Sequence, residues 1–232
     1  MRLNEDSYRK KVRAGWLGKC IGGNLGAIPE CLKKRSYFLK PEDFMPEKML
    51  ANDDLDLQLV WLQVLLDKGL SFTSDDLMEE FIKCYPANPN EYGYGKRNYR
   101  RGIKPPVSGT FANEFFMNSM GCPIRAEIWA MICPGRPEKG IELAYRDGCL
   151  DHGEESIYAE QYITALESLS FLSQDRLELI KKAMEYIPET SRIYHVISDV
   201  SGAFEKGAEL EKVMDYLETE YGDVDCSVSF YN

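Results

Sequence analysis

Asn52-Asp53-Asp54-Leu55-Asp56 gathers three carboxylates and an amide into five residues. Such a cluster of hard oxygen atoms has two physical uses. Asn is a favoured N-cap, and acidic residues in a first turn suit the positive end of a helix dipole, each worth about 0.3–1 kcal/mol. The other use is to hold a divalent cation, and oxygen ligands favour magnesium, calcium or manganese over zinc. The neighbouring residues weigh between them: Leu55, Leu57, Leu59, Val60, Trp61, Leu62, Val64, Leu65 and Leu66 are apolar almost all round, the pattern of a buried helix. A buried helix carries its first turn toward the interior or a cleft, where clustered carboxylates repel one another and lose solvation. A cation relieves both penalties, so metal binding is the better reading of the Asn52–Asp56 cluster.

Other segments offer weaker chemistry. Gly15, Gly18, Gly22, Gly23 and Gly26 lie along one helical pattern, each costing about 1 kcal/mol against alanine in a helix interior. Close helix–helix packing accounts for such glycines, as does close approach of the backbone to a ligand. Glu30 comes after them, a carboxylate at the helix exit. Residues 90–102 interleave tyrosines with Lys96, Arg97, Arg100 and Arg101. That mixture can stack a base or hold a phosphate, although glycine and polar residues also make ordinary solvated loops. His195, beside Ile193 and Val196, has no partner that completes a triad-like pattern and reads as structural.

These residues must be positioned by helices. Asn4 caps a helix through Tyr8, Val12 and Trp16 to Leu25, and further helical patterns cover residues 53–68, 75–84, 110–120, 123–132, 137–150 and 154–172. Asp175 caps a segment ending before Pro188, and two amphipathic stretches come after it over 192–206 and 208–220. Residues 86–107 read as a long loop, a kind that is often functional. No alternation of five or more residues marks a strand, so the expected fold is all-α, one compact single-domain helical bundle over 1–232.

Composition narrows the function. The chain has 232 residues, 44% of them hydrophobic, and a net charge of −10, which suits one soluble core and disfavours a nucleic-acid partner. The polar start, the lack of a bilayer-length run and seven scattered cysteines without a CxxC pair predict a reduced, cytoplasmic chain with no membrane partner. The last residues, Asp223 to Asn232, end on an apolar note that reads as a cut end.

Four segments, in order, resemble the motifs of the ADP-ribosylglycohydrolases. Gly22-Gly23-Asn24-Leu25-Gly26-Ala27-Ile28-Pro29-Glu30 is similar to the family's first-helix signature, and Asn52-Asp53-Asp54 to its Ser/Thr-Asp-Asp metal motif. Gly121-Cys122-Pro123-Ile124-Arg125 is similar to its ligand loop, and Ala144-Tyr145-Arg146-Asp147-Gly148-Cys149-Leu150-Asp151-His152 to its helix ending in threonine-histidine. The resemblance implies an all-α fold with a cleft for two magnesium ions beside the ribose of an ADP-ribosyl group. It implies Asn52, Asp53 and Asp54 as metal ligands and Glu30 as a mobile catalytic acid near the scissile bond. Gly121, Cys122, Arg125 and His152 would line the nucleotide-ribose pocket. The implied partner is an ADP-ribosylated protein or small ADP-ribosyl compound, and the implied reaction is magnesium-dependent hydrolysis of its N- or O-glycosidic bond.

This chain departs from the pattern at four places. Asn52 stands for a hydroxyl residue, Asn24 for an aspartate and Asp151 for a threonine. The second metal motif, Asp-x-Asp-Ser/Thr, has only Asp223-Val224-Asp225-Cys226-Ser227 as a superficial counterpart, so the expectation is a chain that stops before it and holds half a metal site. A binding module that keeps the nucleotide pocket without hydrolysis, or a helical scaffold whose acids are only caps, are the alternatives.

Overall fold

The computed structural model describes residues 3–27 and 52–222, which form eleven α-helices and, among the described residues, no strand. The all-α expectation holds. Glu30 and residues 223–227 lie outside the described residues.

Five of the described helices start at a capping side chain written into the sequence: Asn4, Asn52, Thr73, Asp175 and Ser191. Asn4 opens α1 (Glu5–Gly26) by accepting the Ser7 N–H at 2.8 Å, and Ser7 returns the contact in a capping box. Asn52 opens α2 (Asp53–Lys68) by accepting the Asp54 N–H at 2.8 Å. Thr73 and Asp76 form the same reciprocal box at α3 (Ser74–Cys84). Then come α4 (Asn90–Arg100), α5 (Val107–Thr110), α6 (Glu127–Ile132), α7 (Pro137–Gly148), α8 (Glu154–Ser170), α9 (Arg176–Met184), α10 (Arg192–Glu205) and α11 (Leu210–Glu220).

The main core lies between α2, α3, α6 and α7, where Leu57, Trp61, Phe72, Leu77, Phe81, Trp129 and Leu143 are buried together. Trp61 meets Phe81 edge-on at 5.4 Å and Phe72 stacks on Trp129 at 5.4 Å. Beside it, α7 and α8 pack as an antiparallel pair. The Gly135 N–H donates to the Ser168 carbonyl at 2.8 Å near one end, and Gly148 lies against Glu160 and Ile157 near the other.

Three expectations need correction. First, α2 is not apolar-buried all round: Leu55, Leu57, Gln58, Trp61 and Val64 are buried, while Leu59, Leu62 and Leu66 are 56%, 40% and 73% exposed. The buried set keeps helical spacing, so the burial is one-sided despite leucines on both faces. Second, the expected loop over 86–107 contains α4. Its buried face is Glu91, Tyr92, Gly95, Lys96 and Asn98, a helical period carried by polar side chains that an apolar count misses. Third, residues 110–120 are mostly turns rather than helix. Two buried amides take the backbone carbonyls there: Asn98 Nδ2 donates to Ser108 O and Phe111 O at 2.8 and 2.7 Å, and Asn113 Nδ2 to Gly109 O and Asp151 O at 2.8 and 3.0 Å.

Helix α1 buries no residue fully and is held largely through polar anchors. Tyr8 donates to Met131 O at 3.0 Å, Lys11 to Ser170 O at 2.7 Å, and Lys19 to Ile124 O and Glu127 Oε1, both at 2.6 Å. Near Lys19, burial and then repulsion from Glu127 push the Glu167 carboxyl up to about 8, with Lys19 opposing. The folded chain therefore keeps this proton where the unfolded chain, at its ordinary value of 4.5, has released it, and stability falls as pH rises between those values. Glu167→Gln should remove that slope. Its urea midpoint should match the wild type near pH 4.5 and exceed it increasingly up to about pH 8. Parallel midpoints at every pH would refute the assignment.

Candidate functional site

The candidate residues fall into two neighbouring groups joined by α4. Asn52, Asp53 and Asp54 form the first turn of α2 and its cap, each partly exposed. Gly23 of α1 abuts them: a Cβ there would lie 2.6 Å from Asn52 Nδ2, so glycine permits the approach of α1 to the cluster. The oxygen-only donor set fits a hard divalent cation such as magnesium. Among the described residues, however, no three His, Cys, Asp or Glu side chains gather so as to hold an ion.

The second group surrounds Arg125. Gly121, Cys122, Arg125 and His152 are all buried, and Cys122, Arg125 and His152 are 0% exposed. Arg125 pairs through Nε with Asp147 Oδ1 at 2.8 Å and through Nη2 with Asp151 Oδ1 at 2.7 Å. Trp129 Nε1–H donates to the other Asp147 oxygen at 3.0 Å. Asp151 also accepts from His152 Nδ1 at 2.6 Å, which fixes the imidazole's orientation. On the far side of the ring, Nε2 lies 3.3 Å from Ser119 Oγ and 3.8 Å from Glu91 Oε1. The aspartate standing where the family pattern has threonine is thus a bridge between Arg125 and His152.

Burial and charge set the protonation of this network. Burial pushes the Asp151 carboxyl up, but Arg125 and then His152 outweigh it and hold the value down at about 2. Burial opposes charge on His152, yet Asp151 and Glu91 raise its pKa above the ordinary value. Glu160 is pushed well up by burial and then by Asp147, and the opposing pull of Arg125 and the Cys122 hydrogen bond does not offset it. The Cys122 thiol donates to Glu160 Oε2 at 3.0 Å and is itself pushed up by burial, so it is a neutral donor and not a nucleophile.

Sequence reasoning missed Glu91 and Tyr92, both on α4. Glu91 is 6% exposed and its Oε2 has no hydrogen-bond partner among the described residues. A Cβ on Gly121 would fall 2.2 Å from Glu91 Oε1, so glycine is required there for the ligand loop to meet α4. The signal was the helical spacing of residues 91, 92, 95, 96 and 99, present but written in polar and aromatic types. A cleft of about 350 Å³ borders His152 and Gly153, walled by Pro106, Val107, Tyr145 and Tyr158. Of the described candidate residues, His152 alone borders it.

Gly109 fixes the height of His152. A Cβ at this buried position would lie 2.3 Å from His152 O and 2.8 Å from its N, both rigid backbone atoms. Gly109→Ala should destabilise the chain by about 1–3 kcal/mol, the usual cost of overpacking. Chemical denaturation measures it, and an unchanged midpoint would show that the loop yields freely.

No described helix is long and apolar enough to cross a membrane. No curated protein and no solved structure gives a match. The family model of the ADP-ribosylglycohydrolases matches residues 4–227, nearly the whole sequence, and its helical fold agrees with the eleven helices seen here. This chain belongs to the ADP-ribosylglycohydrolase family.

Proposed function

We propose that this chain acts in magnesium-dependent hydrolysis of an N- or O-glycosidic bond to ADP-ribose, on a modified protein or a small conjugate. Family membership supports glycohydrolase action on ADP-ribose conjugates. The observation that carries the finer reading is the Tyr92 hydroxyl, 3.3 Å from Asp53 Oδ2 and 3.3 Å from Gly121 O, which links the metal motif to the ligand loop.

Bound magnesium would orient ribose hydroxyls and stabilise charge developing at the anomeric carbon. Asn52, Asp53 and Asp54 would hold it. Glu30 would act as general base or as electrostatic stabiliser of an oxocarbenium-like state. His152, with Nδ1 committed to Asp151, offers only Nε2 to any other group. Arg125, buried in ion pairs with Asp147 and Asp151, sets the loop from Gly121 onward instead of reaching for a ligand.

The competing reading is an ADP-ribose-binding module without turnover. Calorimetry with ADP-ribose, with and without magnesium, separates the two when run beside a release assay on a panel of ADP-ribosyl substrates. Magnesium-dependent release supports hydrolysis, and binding without release supports the module. Neither binding nor release leaves the helical scaffold.

A further inference from the structure

Tyr92 stands where three stretches of chain meet. Its ring is 2% exposed and held edge-on by Phe81 at 5.5 Å and by Tyr85 at 6.0 Å. The Arg125 guanidinium lies 5.7 Å from its centre and the His152 ring 6.4 Å away. This cage fixes the ring, and so fixes where its hydroxyl can be. The hydroxyl has one proton and two acceptors, Asp53 Oδ2 and Gly121 O, each at 3.3 Å. Both contacts are long for an O–H···O bond, which suits a donor shared between two acceptors. Gly121 cannot retreat behind a side chain of its own, because a Cβ would fall 2.7 Å from Tyr92 Cε1 and 2.9 Å from the hydroxyl oxygen.

We propose that Tyr92 is a positioning residue: its hydroxyl orients the Asp53 carboxylate for cation binding and ties that carboxylate to the backbone of the ligand loop. This rests on the magnesium reading above. Carboxylates that ligate metals are themselves held by hydrogen bonds, and loss of such an outer partner typically costs roughly 10–100-fold in metal affinity. A ring fixed on all sides and a hydroxyl pointed at a candidate ligand are the two parts such a role needs. The hydroxyl also explains why a tyrosine, and not a phenylalanine, fills a site otherwise built from aromatic packing.

Tyr92→Phe keeps the ring and removes the hydroxyl. Tyr99→Phe is the control: it removes a hydroxyl from the same helix that bonds Glu79 Oε1 at 3.1 Å, away from the cluster. Magnesium is titrated calorimetrically into wild type and both variants, and their melting is monitored without magnesium. Tyr92→Phe should bind magnesium roughly tenfold more weakly, while Tyr99→Phe binds as the wild type does. Cation-free melting should be nearly the same for all three. Wild-type affinity in Tyr92→Phe overturns the proposal. So does a loss shared by Tyr99→Phe, or one accompanied by a matching fall in cation-free melting, since either marks a structural role. A wild type that takes up no magnesium overturns the magnesium reading itself and the proposal with it.

Discussion

Arg125→Met should unfold the chain, or leave it close to unfolding, under conditions where the wild type is folded. Arg125 is 0% exposed, and its guanidinium is shared by Asp147 and Asp151, which are equally buried. Removing it leaves Asp147 to the Trp129 hydrogen bond and Asp151 to His152, beside Glu160, already pushed well up by burial. Breaking a buried ion pair by deleting one partner costs about 3–5 kcal/mol, against a total stability of about 5–15 kcal/mol for an ordinary domain. Methionine fills much of the volume, so the loss reports charge and not a cavity. Arg125→Lys should recover only part of it, because an ammonium cannot reproduce the planar fork that serves both aspartates. Urea denaturation of the three proteins measures the effect. A loss below about 1 kcal/mol for Arg125→Met would mean that the carboxylates neutralise themselves by taking up protons, with Arg125 contributing little.

The same network marks what could and could not be read in advance. Helix ends were legible wherever a capping residue announces them, as at Asn4, Asn52 and Asp175, because a cap acts within one turn of chain. The helix α4 was illegible for the opposite reason. Lys96 is 0% exposed, but what makes burial tolerable is remote: its ammonium donates to the Tyr85 and Ala87 carbonyls and sits 3.9 Å over the Phe81 ring. Those partners exist only once the chain has folded, so a polar residue there looks like a loop residue until then. The three-way bridge at Asp151 is of the same kind. The sequence shows an aspartate before a histidine; it does not show that Arg125, 26 positions away, needs that carboxylate.

The four motifs were legible as short strings in order, and three of them meet the described structure at one place. Asp53, Gly121 and His152 are brought around Tyr92, itself absent from every string. Glu91 beside it keeps a buried oxygen without a hydrogen-bond partner among the described residues, and Trp61 Nε1, Asn113 Oδ1 and Glu160 Oε1 are likewise without one. The Glu91 acceptor lies beside the converging motifs, where a water or a ligand donor would satisfy it.

Asp53→Asn and Asp54→Asn should each lower magnesium-dependent release of ADP-ribose by at least about 100-fold while leaving the fold intact. The exchange keeps side-chain size and changes charge. On stability, the loss is one favourable carboxylate at the start of α2, about 0.3–1 kcal/mol. On activity, the loss is a hard anionic ligand, and cation stabilisation of transition-state charge is worth several kcal/mol, with each 1.4 kcal/mol a factor of about ten in rate. The two scales differ enough to separate the roles. A cap predicts a small drop in melting temperature and no change in the magnesium dependence of that temperature. A ligand predicts that added magnesium stabilises the wild type by mass action and stabilises either variant far less. Melting curves across a magnesium titration, run beside release assays, therefore decide between the two uses of these acids. Equal magnesium shifts in wild type and variants would return Asp53 and Asp54 to service as helix-terminal charges, leaving the hydrolytic reading without its metal.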